Sequence, residues 1–214
     1  MIRLDALGRR LTDMANLEDG EFDFDAPPAM GGPEEPVSTG SNVAVPEVVE
    51  AMQSLDLQLD NREAQLGVLE SVIANQNLKQ RVYPQGRPVS SGWISSYFGK
   101  RTDPFTGKPA NHTGIDFAGK SGADVVAVAD GVVTWSSKRY GYGLMIEINH
   151  GNGYSTRYAH NSENLVAVGE EVKKGQVVAL MGDTGRATGP NLHFEVLRDG
   201  RRVNPVNFIR TASN

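Results

Sequence analysis

Four histidines occur in the 214 residues, His112, His150, His160 and His193, and all lie in the second half of the chain. His112 and Asp116 stand four positions apart in His-Thr-Gly-Ile-Asp, at the mouth of an apolar, strand-like run. Such a pair is ordinarily a turn with a hydrogen-bonded Asp. It is also two thirds of a metal site, because Zn²⁺ takes nitrogen and carboxylate oxygen and a catalytic zinc usually has three protein ligands and an open position for water. A later histidine would complete the set. Tyr158-Ala-His160 closes one predicted strand and Asn191-Leu-His-Phe-Glu195 opens another. Strand side chains alternate between faces. Asn191, His193 and Glu195 therefore share one face, while Leu192, Phe194 and Val196 can fill a core. With the polar face beside His112 and Asp116, His193 becomes the third ligand and His160 an unligated imidazole nearby.

Composition narrows the chemistry. The chain has no cysteine, so thiolate zinc sites and disulfides are excluded and any metal must rely on His, Asp or Glu. Val125–Ala129 and Val177–Met181 are the longest apolar runs, far short of the roughly 18 residues that suggest a membrane span. The first ten residues lack the uninterrupted apolar stretch of an export signal. The net charge of −5 divides unevenly: residues 1–80 carry 5 Lys/Arg against 15 Asp/Glu, and residues 81–214 carry 16 against 11. The second part is only mildly basic and shows neither a basic cluster nor aromatic interleaving, which argues against nucleic acid as a partner.

The elements that must position these residues follow from periodicity. Leu4, Leu7, Leu11 and Met14 recur at helical spacing, predicting an amphipathic helix over 1–17 whose apolar seam needs a partner. Because the seam is already running at residue 4, a longer helix or a membrane anchor upstream of Met1 is expected. Residues 18–45 are an acidic Gly/Pro linker without packing period. Pro46 opens a second helix over 46–83, a coiled-coil arm with Met52, Leu55, Leu59, Leu66, Leu69 and Ile73 in its seam and Arg62 interrupting it. An arm of that length pairs with the first helix, a second copy of itself or a partner protein. Tyr83-Pro84 ends the helical region. Over 84–214 eight short β-rich runs, Ile94–Phe98 to Leu192–Leu197, predict a mainly β domain, an antiparallel sandwich or open barrel. Asp130-Gly131, Asn152-Gly153 and Asp199-Gly200 are the expected hairpin turns.

From about Gly92 to Phe208 these motifs, in this order, resemble the lysostaphin-type (LytM-like) zinc metallopeptidases, which cut peptide cross-links of bacterial peptidoglycan. The resemblance rests on Phe98-Gly-Lys-Arg-Thr-Asp-Pro104, His112-x-Gly-x-Asp116, Val128-Ala-x-Asp-Gly-Val132, Tyr158-Ala-His160, Gly169-x-x-Val-Lys-Lys-Gly175, Gly182-x-Thr-Gly185 and Gly189-Pro-Asn-Leu-His-Phe-Glu195. It implies that His112, Asp116 and His193 hold Zn²⁺ and that His160 is a catalytic histidine beside them, with His150 outside the site. It implies peptidoglycan as substrate and the periplasm or cell envelope as location. Asn191 departs from the family, whose active members usually carry a His-x-His pair here. An amide orients water or substrate but takes no proton at neutral pH. The alternative is a non-catalytic LytM-like activator of a cell-wall amidase, favoured by Asn191 and the helical arm and opposed by three retained ligands and His160. Gly169–Val178 also resembles the hairpin of biotinyl or lipoyl carriers, but the modified-lysine turn is absent.

Overall fold

A computed structural model describes residues 2–15 and 45–209. The chain divides into two compact units, Met1–Asn77 and Leu78–Asn214. In the first, α1 (Ile2–Ala15) and most of α2 (Val45–Val82) form the helices expected from the leucine spacing. Leu69 is fully buried against Leu11, Leu66 and Ile73, so the first helix supplies a partner for the distal half of the seam. Arg62 takes a seam position, is buried, and donates to Gln65 Oε1 at 3.1 Å. Leu7, by contrast, is 48% exposed, and Met52, Leu55 and Leu59 are exposed too. The expected seam is therefore packed only from Leu66 onward among the described side chains. The linker expected over 18–45 lies almost wholly outside the described residues. No described helix is long and apolar enough to cross a membrane, which bears on helices alone.

The second unit is mostly antiparallel β. Its strands are β1 (Trp93–Ser96), β2 (Gly99–Thr102), β3 (Pro109–His112), β4 (Ile115–Ala118), β5 (Asp124–Val126), β6 (Gly131–Arg139), β7 (Gly143–Gly151), β8 (Tyr154–Asn164), β9 (Glu171–Val172), β10 (Val177–Met181), β11 (Asn191–Arg198) and β12 (Arg201–Val203), followed by the short helix α3 (Val206–Ile209). Ten strands make one sheet in the order β1-β4-β11-β8-β7-β6-β9. β12 extends it from β11, and β10 pairs with both β5 and β8. β2 and β3 form a separate hairpin. All eight expected runs are strands within a few residues. The additional ones, β2, β3, β9 and β12, are two to four residues long, too short to show a period.

Asn152-Gly153 and Asp199-Gly200 turn the β7–β8 and β11–β12 hairpins, with all four residues at positive φ as a two-residue turn of this kind requires. Asp130-Gly131 is not a hairpin turn, because β5 pairs with β10 while β6 pairs with β7 and β9. Asp130 instead anchors the chain entering the domain. Its N–H donates to the Arg81 carbonyl at 2.9 Å, and its carboxylate accepts from Arg81 Nε at 2.7 Å. Phe117, Tyr158, Phe194, Ile115, Ile146, Ile148 and Leu192 form the centre of the core, each fully buried.

Candidate metal centre and catalytic groove

β4 and β11 lie side by side with His193 opposite Asp116, and β3 delivers His112 at its last residue. Gly114 makes this approach possible. A β-carbon there would collide with the Phe194 carbonyl oxygen and come within 2.8 Å of the His193 ring. His112 Nε2 is 3.1 Å from Asp116 Oδ1 and 3.1 Å from His193 Nδ1, and His193 Nδ1 is 2.8 Å from Asp116 Oδ1. Two consecutive strands, β3 and β4, and the distant β11 thus bring the predicted trio together.

The outer nitrogens decide what the inner ones offer. His112 Nδ1 lies 2.8 Å from the Tyr97 carbonyl, which can only accept, so this nitrogen carries the hydrogen. His193 Nε2 lies 3.3 Å from Glu195 Oε1 and donates to the carboxylate in the same way. Each neutral ring then turns a lone pair inward, toward the other ring and toward a carboxylate oxygen. Three such acceptors 2.8–3.1 Å apart repel one another unless a metal ion or a proton sits among them. Donors held by Zn²⁺ at about 2.0–2.2 Å in a tetrahedron are roughly 3.3–3.6 Å apart, within a few tenths of an ångström of what is seen. The residues fit such an ion. The ionisation tendencies agree: burial pushes Asp116 up, but hydrogen bonds from His112 and His193 outweigh it and hold the carboxyl far below the usual range. Burial pulls His193 down, and its contacts with Asp116 and Glu195 overcome this and raise it. In the absence of a metal, a proton would take the same place.

His160 stands beside the trio, its ring centre 5.8 Å from that of His193. Its Nδ1–H donates to the Thr184 carbonyl at 2.7 Å, which leaves Nε2 with the lone pair. Burial lowers its pKa by more than the Thr184 carbonyl and Asp116 raise it. It ends up here through a left-handed backbone, φ 65°, in the middle of β8. Gly143 secures the loop that orients it. With φ +69° and Thr184 atoms where a β-carbon would stand, that position admits no larger residue. Asn191 lines the same groove two residues from His193, and its Nδ2 donates to the Gly189 carbonyl at 2.7 Å. The groove holds about 740 Å³ and is rimmed by Trp93, Phe105, Tyr142 and Arg186. His150 lies elsewhere, buried between the Asp130 carbonyl and the Thr156 hydroxyl.

Some residues with a part in this geometry carried no readable sign in the sequence. Arg101 reaches Asp116 Oδ2 at 3.1 Å and Ser96 Oγ at 2.6 Å. Arg186 holds Asp103 with two contacts of 2.8 Å and lies over the Phe105 ring. Both arginines belong to or adjoin motifs noted above, but a lone arginine has no period or spacing to mark its partner.

A mostly antiparallel β domain with two histidines and an aspartate converging on one groove is the arrangement of a lysostaphin-type metallopeptidase domain. Residues 110–205 match the model of peptidase family M23, and the chain contains a domain of that family. Over 129 residues it is 45% identical to the peptidoglycan DD-endopeptidase ShyA of Vibrio cholerae, covering 59% of this chain and 30% of that protein. Over 123 residues it is 40% identical to the murein hydrolase activator NlpD of Salmonella dublin, covering 57% and 32%. The crystal structure of a zinc-containing peptidase from Vibrio cholerae superposes with a TM-score of 0.51 at 43% identity, over 58% of this chain and 38% of that one. The chain thus spans about a third of the length of these two curated relatives.

Proposed function

We propose that the β domain is a zinc-dependent endopeptidase that hydrolyses peptide cross-links of bacterial peptidoglycan, acting in the periplasm or cell envelope. The observation that carries this reading is the convergence of three inward lone pairs with a third imidazole, His160, whose Nδ1–H leaves the lone pair on Nε2. His112, Asp116 and His193 would hold the metal. A zinc ion there would lower the pKa of a bound water and polarise the scissile carbonyl. His160 Nε2 takes the proton from the attacking water and returns it to the leaving amine, and the Thr184 carbonyl keeps its ring in the tautomer that can do so. Asn191 contributes no proton transfer, and its amide orients substrate or water. The names of the relatives support peptidoglycan as the substrate class, and the helical arm serves to pair with a second copy or a partner protein.

Asn191 favours one other reading, an activator of a cell-wall amidase, and one of the relatives is named a murein hydrolase activator. The two separate in one experiment. Release of soluble fragments from purified peptidoglycan is measured together with zinc content for wild type, His160→Ala and Asn191→His. The hydrolase reading expects His160→Ala to lose about 10²–10⁴ in rate with zinc retained, and Asn191→His to gain. Zinc-loaded wild type at background, with both variants equally silent, refutes the hydrolase reading and leaves the activator.

A further inference from the structure

Glu195 is fully buried, accepts from His193, and takes no part in the proton transfers proposed above. Its carboxylate collects an imidazole, a phenol and two guanidinium groups. It accepts from His193 Nε2 at 3.3 Å, Tyr142 Oη at 3.0 Å, Arg157 Nη1 at 3.1 Å and Arg202 Nε at 3.2 and 3.3 Å. Arg157 is shared with Glu147, and Arg202 Nη2 also donates to the Tyr142 hydroxyl at 3.1 Å. A buried carboxylate without such partners would be very costly, so a group this heavily compensated is held in place for what it does to its neighbours. Two arginines fix its plane and hold its charge, and one edge is left for the imidazole of His193.

We propose that Glu195 is the positioning residue of the metal centre. It fixes His193 as the Nε2–H tautomer, so that Nδ1 offers its lone pair to the ion, and Arg157, Arg202 and Tyr142 fix Glu195 in turn. The inference rests on His112, Asp116 and His193 being the ligands. Its particular consequence concerns Glu195→Gln. The amide oxygen of a glutamine is drawn to the two guanidinium groups, which can only donate. Its NH₂ then faces His193 Nε2, which must become the acceptor, and the ring hydrogen moves to Nδ1, where it blocks the metal. An isosteric change of one atom thus switches off a ligand from a position that does not itself reach the metal.

The test is zinc affinity of the full chain, by competition with a chromogenic chelator, beside the ¹⁵N resonances of the His193 ring in metal-free protein near pH 9, where a histidine ring is about fully neutral. E195Q is expected to weaken zinc about 10–100-fold and to shift the ring hydrogen from Nε2 to Nδ1. Glu147→Gln disturbs the same Arg157 without touching His193 and is expected to leave zinc affinity and tautomer unchanged, even if it lowers the melting temperature. Should E195Q not fold, Arg202→Met, on a side chain 42% exposed, loosens the same carboxylate and is expected to cost zinc affinity near the lower end, about tenfold. Wild-type zinc affinity and an unmoved tautomer in these variants overturn the proposal. An equal loss in E147Q does so as well, since it would reduce Glu195 to a part of the scaffold. A wild type that binds no zinc overturns the ligand assignment itself.

Discussion

At the scale of residues, the same side-chain type does three jobs, and the partner of one ring nitrogen decides which. His112 and His193 bind their outer nitrogens to acceptors and face lone pairs inward. His160 does likewise but stands one step outside the trio, and His150 engages both nitrogens within the fold. His193→Ala is therefore expected to remove most bound zinc, and His150→Ala to leave it; equal losses would refute the ligand assignment. His150 should instead govern acid stability. Burial lowers its pKa below 6.5, more than its contact with Asp130 raises it. The folded state thus binds its proton less readily than the unfolded chain, so its stabilising effect is complete above about pH 6.5 and is lost as pH falls toward the depressed folded value. Between pH 7.5 and 5 the melting temperature of wild type should fall more steeply than that of His150→Gln. Parallel curves would exclude it. The types and spacing of His112, Asp116, His160 and His193 were legible in the chain. The hydrogen-bond partners that set their tautomers were not, because two of the acceptors are backbone carbonyls, which every residue has.

At the scale of elements, alternation along β11 was readable and its consequence was not. Leu192, Phe194 and Val196 fill the core as the pattern predicts, but His193 and Glu195 are buried on the opposite face as well. A polar face usually reads as solvent-facing, and only the arginines from β8 and β12 make its burial tolerable. The domain boundary shows a similar limit. Tyr83-Pro84 stops the helix, as proline chemistry dictates, yet the residues just before it belong to the β unit by their contacts. Arg81 pairs with Asp130, and the Tyr83 ring packs 5.4 Å from Tyr154 and 5.7 Å from Phe208. A fragment starting at Leu78 is expected to melt several degrees above one starting at Gln85, on the basis of roughly 1–3 kcal/mol for this cluster. Equal melting temperatures would show that the cluster contributes nothing.

At the scale of the whole molecule, the division at Leu78 separates a helical unit without any of the candidate ligands from a β unit with all of them. A ligand that binds only the folded state stabilises it by about 2.7 kcal/mol at a free concentration 100 times its Kd. For a unit of this size that is a rise in melting temperature of roughly 10 °C. Zinc should therefore move a β-unit transition followed by tryptophan fluorescence, since Trp93 and Trp135 both lie there, and leave a helical transition followed by circular dichroism at 222 nm where it was. A common shift of both signals would mean that the two units unfold together. Mainly β architecture was legible because short β-rich runs are separated by Gly, Asn and Asp. The single sheet, with β8 paired to three neighbours, was not, since strand order depends on contacts between distant segments.

The left-handed backbone at His160 also limits how this position can change. Such a conformation costs most L residues about 1–2 kcal/mol, less for Asn and Asp and nothing for Gly. A single nucleotide change converts a histidine codon to asparagine or aspartate, the two side chains that tolerate that geometry. Among variants from saturation mutagenesis of the codon, His160→Asn and His160→Asp should accordingly melt above His160→Val and His160→Ile, and equal melting temperatures would show that the backbone exacts no such cost. The backbone thereby gives loss of this imidazole an easy genetic route that spares the fold.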